Sequence, residues 1–149
     1  TFKLSIGRTH PVYEAFAPFL TRAKYPTSWY MRVNDLSTFL RQVAPVLSRR
    51  LAAGGSPGTT TLLLDFYTHR LQLRFENARL VDVEPHPEEA HAAEHIAQIP
   101  EPTFLKALFG FRSVDELLYA DPDVRLDTHT YTLLKRLFPK QASRVLYLG

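Results

Sequence analysis

The chain has 149 residues, of which 45% are hydrophobic and 22% charged. These values are typical of a soluble globular domain and exclude disordered, collagen-like and coiled-coil classes. The absence of cysteine excludes disulfides, thiolate metal centres and cysteine nucleophiles. The net charge of +3 is uneven, because residues 1–80 hold 11 basic and 4 acidic residues (+7) while residues 81–149 hold 7 and 11 (−4). No signal peptide or membrane-spanning run is present, so we expect a cytoplasmic protein with no membrane partner.

Residues 1–28 are expected to form a tether ahead of the main domain, residues 29–149. The chain opens on Thr1 rather than Met, and Phe2–Ile6 already alternates like a strand. We therefore expect it to be a piece of a longer protein. Prolines interrupt the tether and leave one short helix, Val12–Phe16.

The main domain is predicted to begin with a strand, Trp29–Val33. Asn34 and Asp35 then provide the N-cap of a helix whose apolar residues share one face as far as Leu51. Pro45 removes a backbone donor from the middle of this helix, which predicts a kink or a new helix at that point.

The clearest structural signal is an alternation of apolar and polar residues over three successive segments, 62–67, 71–76 and 81–84. The intervening residues, 68–70 and 77–78, are short enough for hairpin turns. The pattern predicts an antiparallel β-meander with one buried face.

The polar stretch Pro85–Pro102 is predicted to be a mobile loop, partly helical around Glu88–His95. Three short helices and a closing strand are expected after it: Thr103–Phe109, a helix opened by the capping box of Ser113 and Glu116, a helix capped by Asp127 or Thr128 and running to Phe138, and the strand Ser143–Leu148. The predicted fold class is therefore α+β, with helices packed on the meander.

Two glycine patterns bear on catalysis. Gly54–Gly58 matches the G-x-S-x-G pattern of hydrolases, but a helix is predicted before the serine and a strand after it, the reverse of a nucleophile elbow. The sequence contains no G-x-G pair, so it has no dinucleotide fingerprint and no glycine-rich pyrophosphate cradle. We expect no coenzyme site made by this chain alone.

Histidines and acids cluster between His86 and His95. On a helix, His91 and His95 would share a face and could bind zinc together. The glutamate that a zinc protease carries directly after the first histidine is missing, so a solvated acidic loop is the favoured interpretation, and no metal is expected.

Two further groups of residues are candidates for binding. Six arginines lie near aromatic residues, as they would on a nucleic-acid surface: Arg32, Arg41, Arg49, Arg50, Arg74 and Arg79. No recognition motif organises them, so nucleic acid is not the expected partner. The phenylalanine-rich segment 104–111 is expected to be core, and a groove between it and the meander is where an apolar ligand would fit.

Several blocks occur in an order that resembles the accessory region of bacterial GNAT-superfamily N-acetyltransferases. The resemblance covers residues 8–147, and its blocks are Trp29–Leu36, Phe39–Arg41, Ala44–Leu47 with Arg49–Leu51, Leu71–Phe75, Leu80–Pro85, Leu108–Ser113 with Glu116 and Leu117, and Leu137–Lys140 with Ser143 and Val145. It implies a sterol-carrier-protein-like C-terminal domain, similar to that of the enhanced intracellular survival family. In that family the catalytic domain binds acetyl-CoA, and this domain packs on it and shapes the acceptor side.

The resemblance makes residues 1–28 the join from a catalytic domain, and it implies no catalytic, cofactor or metal residue in this chain. Homo-oligomerisation is a further expectation. The tail ending at Gly149 differs from the phenylalanine ending whose carboxylate acts as a base in that family, so it is given no catalytic role. We place Trp29, Tyr30 and Arg32 in the acceptor-side wall, on a predicted strand edge. The alternative is a free-standing binding domain for a lipid or another apolar small molecule.

Overall fold

The structure is a computed structural model that describes residues 11–20, 31–55, 58–86 and 95–141. It is an α+β fold, as predicted, in which α-helices pack on a five-stranded sheet. The predicted strands Phe2–Ile6 and Ser143–Leu148 lie outside the described residues. A short helix, α1 (Val12–Ala15), confirms the helix expected in the tether and is followed by a 3-10 turn, Ala17–Phe19.

The helix predicted after Asn34 is divided in two, α2 (Leu36–Gln42) and α3 (Ala44–Ala52). Asp35 caps α2, because its carboxylate accepts a hydrogen bond from the Thr38 amide at 2.9 Å. Pro45 stands in the first turn of α3, where its missing N–H costs nothing. The proline therefore starts a new helix, which confirms one of the two predicted outcomes.

The three alternating segments form β1 (Thr59–Asp65), β2 (Arg70–Glu76) and β3 (Arg79–Pro85), each antiparallel to the one before. Asn77 and Ala78 make the tight turn between β2 and β3, with φ of 48° and 63°. Positive φ at both central residues is the signature of a type I′ hairpin turn, whose twist matches that of the strands.

A fourth strand, β4 (His95–Gln98), lies on the other side of β1 and parallel to it, and a two-residue β5 (Arg125–Leu126) completes the order β3-β2-β1-β4-β5. The predicted antiparallel sheet therefore needs a correction, because the sheet is mixed. The predicted loop 85–102 is also wrong over β4, and His95 is in a strand rather than a helix. Residues 87–94 lie outside the described ranges.

The last three helices are α4 (Glu101–Leu108), α5 (Val114–Ala120) and α6 (Thr128–Leu137). The predicted capping box is present, since the Ser113 hydroxyl accepts from the Glu116 amide while the Glu116 carboxylate accepts from the Ser113 amide. Asp127 caps α6 by accepting from two backbone amides.

One face of the sheet and the helices share a single hydrophobic core. Along β1 the buried residues Leu62 and Leu64 alternate with residues of the opposite face, and Leu73 and Val83 stand beside them on β2 and β3. Phe104 of α4 meets Phe138 edge to face, with ring centroids 5.1 Å apart. The prediction that Phe104 is a core residue is therefore confirmed. The same prediction is wrong for Phe111, whose side chain is 57% exposed.

Candidate functional site

A groove of about 390 Å³ opens where the parallel strands β1 and β4 end. Residues that follow β1 form one side, and the residues at the start of α4, which follow β4, form the other. In open α/β sheets ligands bind at the carboxyl ends of parallel strands, and the groove has this position relative to the parallel pair of β1 and β4. The groove is lined by Met31, Arg32, Phe66, Tyr67, Thr68, Pro100, Glu101, Pro102 and Leu105.

The ring of Tyr67 forms an aromatic wall of the groove, and the backbone of this residue has an unusual conformation. Its φ of 67° lies in the left-handed region, which residues with a Cβ rarely adopt. The Tyr67 amide donates to Asp65 Oδ1 at 2.9 Å, and the Tyr67 hydroxyl donates to the backbone carbonyl of Asp123. The two bonds fix both ends of the residue, so the wall is formed before any ligand arrives.

Asp65, the last residue of β1, holds the backbone on both sides of the groove in place. It is 6% exposed, and its Oδ2 accepts from Arg70 Nε and lies 3.1 Å from the second Arg70 nitrogen. Both Arg70 nitrogens therefore meet the same oxygen, which leaves Oδ1 for the Tyr67 amide. The backbone carbonyl of Asp65 also accepts from the Ile99 amide, which ties the end of β1 to the end of β4.

Glu101 brings a carboxylate to the opposite side of the groove. It occupies the first turn of α4, where the helix dipole favours negative charge, and it lies 3.6 Å from His69 Nε2. The His69 ring in turn packs against Phe66, with centroids 4.9 Å apart. The groove therefore combines aromatic and apolar surface with one carboxylate and one guanidinium, that of Arg32.

The three residues predicted for the acceptor-side wall have different outcomes. Trp29 and Tyr30 lie outside the described residues. Arg32 is exposed and lines the groove, but the predicted strand is wrong over the described residues Met31–Val33, which have no regular secondary structure. No strand in the described part of the sheet pairs with them, and the cap of α2 follows at once.

Sequence reasoning missed Tyr67 and Glu101 as residues of this groove. The sequence pattern predicts only that Tyr67 belongs to the alternating segment. A tyrosine with a positive φ has no signature in the sequence. Glu101 stands between two prolines, Pro100 and Pro102. Because proline is common in the first turn of a helix, these prolines could have predicted that α4 begins at Glu101.

The other sequence motifs do not join this groove. Within the described ranges, no three His, Asp or Glu side chains are placed to hold a metal ion. His95 has a buried Nδ1 with no hydrogen-bond partner in the same ranges, and His91 lies outside them. Gly54, Gly55 and Gly58 connect α3 to β1, so they precede a strand and not the helix that a pyrophosphate cradle requires.

Two of the arginines weighed for nucleic-acid binding are bound to backbone carbonyls. Arg41 donates to the carbonyl of Val83 on the edge strand, and Arg50 donates to that of Leu137 at 2.7 Å. Arg74 pairs with Glu76 on the same strand. These contacts hold elements together and occupy part of the donor set of each arginine.

The core between the sheet and the helices contains a cavity of only about 10 Å³, walled by Phe104, Leu134, Phe138 and their neighbours. This is close to the space of a single water molecule. Among the described residues, this cavity is therefore too small for an apolar ligand.

None of the helices in the described ranges has the length and apolar character of a membrane-spanning helix. In comparisons with known proteins, no family model matches the chain, and no curated protein matches its sequence significantly.

Proposed function

We propose that this chain is the non-catalytic accessory domain of an acetyl-CoA-dependent N-acetyltransferase of the GNAT superfamily. In this proposal the domain has the sterol-carrier-protein-like architecture, packs on its own catalytic domain in the cytoplasm and shapes the site of the acceptor amine. The ordered sequence blocks that resemble the accessory region of those enzymes are the basis for the class. They leave acetyl-CoA to the catalytic domain.

The groove at the ends of β1 and β4 is the observation that supports an acceptor-side role. It places Arg32, selected from sequence for the acceptor wall, beside the aromatic ring of Tyr67 and the carboxylate of Glu101. A concave surface with a few fixed polar groups is the usual form of a small-molecule site. Its volume of about 390 Å³ falls within the range of about 300–1,000 Å³ that such sites occupy.

Within this proposal the chain positions the acceptor and performs no chemical step. The aromatic and apolar residues exclude water from one side of the bound amine, while the charged groups orient it. Binding energy from such a wall lowers the KM for the amine and leaves the chemistry to the catalytic domain.

The first test uses the 149-residue chain alone, incubated with acetyl-CoA and a panel of primary amines while the release of free CoA is followed with a thiol reagent. We expect no release above the blank. Turnover by the isolated chain would overturn the non-catalytic assignment.

The second test uses the protein encoded when the reading frame is extended upstream of Thr1. We expect acetyl transfer, with Arg32→Gln raising the KM for the amine about threefold and leaving kcat within about twofold. Arg125→Gln, at an exposed position of β5 that does not line the groove, is the control and should change neither constant. No transfer to any amine by the extended protein would contradict the proposed function.

A further inference from the structure

A second groove, of about 270 Å³, lies on the outer side of the helices and is separate from the acceptor-side groove. Side chains of α2, α3 and the end of α4 form its walls, and most of them are apolar. Val46 is 38% exposed at its rim, and the rings of Phe39 and Phe109 lie 5.5 Å apart at its base. The remaining lining residues are Val43, Leu47, Arg50, Leu108, Gly110 and Gln141.

Two consecutive cations of α3 lie at or near this groove. Arg50 lines it and is half-buried, whereas Arg49, the preceding residue, is exposed and is not one of the lining residues. Both lie one helical turn beyond Val46 on α3, at the i+3 and i+4 positions that share a helix surface. No carboxylate in the described part of the chain is within ion-pair distance of either guanidinium.

The environment of Arg50 is therefore unfavourable for its charge. Burial is the main cause that lowers its pKa, and the neighbouring charge of Arg49 lowers it further. Arg50 uses one nitrogen on the Leu137 carbonyl at the C-terminal end of α6, which supplies a partial negative charge but no carboxylate. An anion placed against the pair would relieve both effects.

We infer that this groove binds a single-chain anionic amphiphile, such as a medium-chain carboxylate, with its chain on Val46 and Phe109 and its head group against Arg49 and Arg50. The apolar walls explain the chain, and the unneutralised cation pair explains the charge of the head. This site goes beyond the proposed acetyltransferase role and does not depend on it.

The size of the groove selects this occupant. A volume of about 270 Å³ is just below the range of drug-sized sites, so the groove suits one short chain. An amphipathic partner helix needs anchor positions over two or more turns, which is a longer surface than this one.

The test is calorimetric titration of the full chain with decanoate, below its micellar concentration, together with amide chemical shifts. We expect binding, with the largest shift changes at Val46 and Phe109. Decanol and decyltrimethylammonium, which share the chain but lack the anion, should bind at least about fivefold more weakly, as expected for loss of a charge-assisted contact.

Variants of Arg49 separate charge from fold, because this side chain is exposed and makes no hydrogen bond to another element in the described structure. Arg49→Gln should weaken decanoate binding about three- to fivefold, while Arg49→Lys should keep most of it. Arg125→Gln, on the distant strand β5, is the control and should bind as the parent does. Thermal unfolding checks that every variant is folded.

Four results would overturn the proposal. They are no decanoate binding, equal binding of the neutral or cationic analogue, shift changes that map elsewhere, and decanoate binding insensitive to Arg49→Gln. Binding of an acidic apolar peptide without decanoate binding would assign the groove to a protein partner. Concentration-dependent dimerisation lost in Val46→Glu would assign it to a second copy, and either finding replaces the proposal.

Discussion

The backbone of Tyr67 shows how one residue is held in a conformation that its own side chain disfavours. A left-handed φ costs a residue with a Cβ about 1–2 kcal/mol. Asp65 compensates by accepting from the Tyr67 amide, and Arg70 holds the same carboxylate in place. The strain is thus offset by the hydrogen bond to Asp65, which the half-exposed Arg70 holds in position, and the tyrosine ring is placed without a glycine at the turn.

Carboxylates on the helix ends also make the stability of the domain depend on pH. The pKa of Glu116 is lowered from its ordinary value of 4.5 to about 2, first by the hydrogen bond from Lys140 and then by the Ser113 amide of the capping box. Similarly, bonds from Thr38 and Ser37 lower the pKa of Asp35 to about 2. A depressed pKa in the folded state means that the ionised form stabilises the fold.

We predict that the free energy of unfolding falls as the pH is lowered from about 5 to about 2. This stabilisation is fully present above the unfolded pKa of Glu116, near 4.5, and is lost as the pH passes its folded value of about 2. Urea denaturation at a series of pH values measures it. Glu116→Gln keeps an acceptor for the capping box but removes the charge, so its pH slope should be shallower, and Lys140→Gln should act in the same direction. Slopes equal to that of the parent in both variants would contradict this account.

At the scale of elements, the end of α4 depends on Gly110. This residue has a φ of 70°, as expected for the glycine that follows a helix, and a Cβ there would lie 3.1 Å from both the backbone nitrogen and the Cβ of Gln141. The Gln141 amide donates to the Gly110 carbonyl at 3.0 Å, so the two backbone segments are joined at this point. A side chain at position 110 would force them apart.

Gly110→Ala is therefore expected to lower the free energy of unfolding by about 2–3 kcal/mol, from left-handed strain and from crowding against backbone. Gly55→Ala is the matched control, because Gly55 also has a positive φ, 93°, but a Cβ there meets nothing within 4 Å in the described part of the chain. It should cost only the strain, about 1–2 kcal/mol. Chemical denaturation of both variants gives the difference, and equal losses would show that the crowding is relieved by a small shift of the chain.

The elements that the sequence predicted are those whose signal is local. Alternation over β1 to β3, the capping box at Ser113 and the proline at the start of α3 each act within a few residues. The strand β4 was missed because it is only four residues long, His95–Gln98, and most of these residues have weak strand propensity. Its hydrogen-bond partners are in β1, some thirty residues earlier in the chain.

The same reason limits prediction of the candidate site. Arg32 could be selected from its neighbours in sequence, but Tyr67 and Glu101 come together only because β1 and β4 are parallel and end at the same edge. A pairing between distant strands carries no local pattern. The groove could not be assembled from sequence until that pairing was known.

At the scale of the whole molecule, the basic residues in the first half of the chain have two different roles, one in the fold and one on the surface. Arg41 and Arg50 fasten α2 to the edge strand β3 and α3 to the end of α6 through backbone carbonyls. Arg49 and Arg79 are exposed. Arg41 therefore belongs to the fold, and Arg49 and Arg79 are available to an anionic partner. Arg50 has both roles, because it bonds to the Leu137 carbonyl and also lines the second groove.

Charge reversal at Arg41 and at Arg49 is predicted to separate these roles. Arg41→Glu should lower the free energy of unfolding by about 1–3 kcal/mol, because it leaves the buried Val83 carbonyl without this donor. Arg49→Glu should stay within about 0.5 kcal/mol of the parent, since the side chain is exposed and its charge disfavours that of Arg50. Urea denaturation of the two variants measures the contrast. A loss at Arg49→Glu as large as that at Arg41→Glu would mean that both arginines serve the fold, and the surface available for an anionic partner would then shrink to Arg79 and its surroundings.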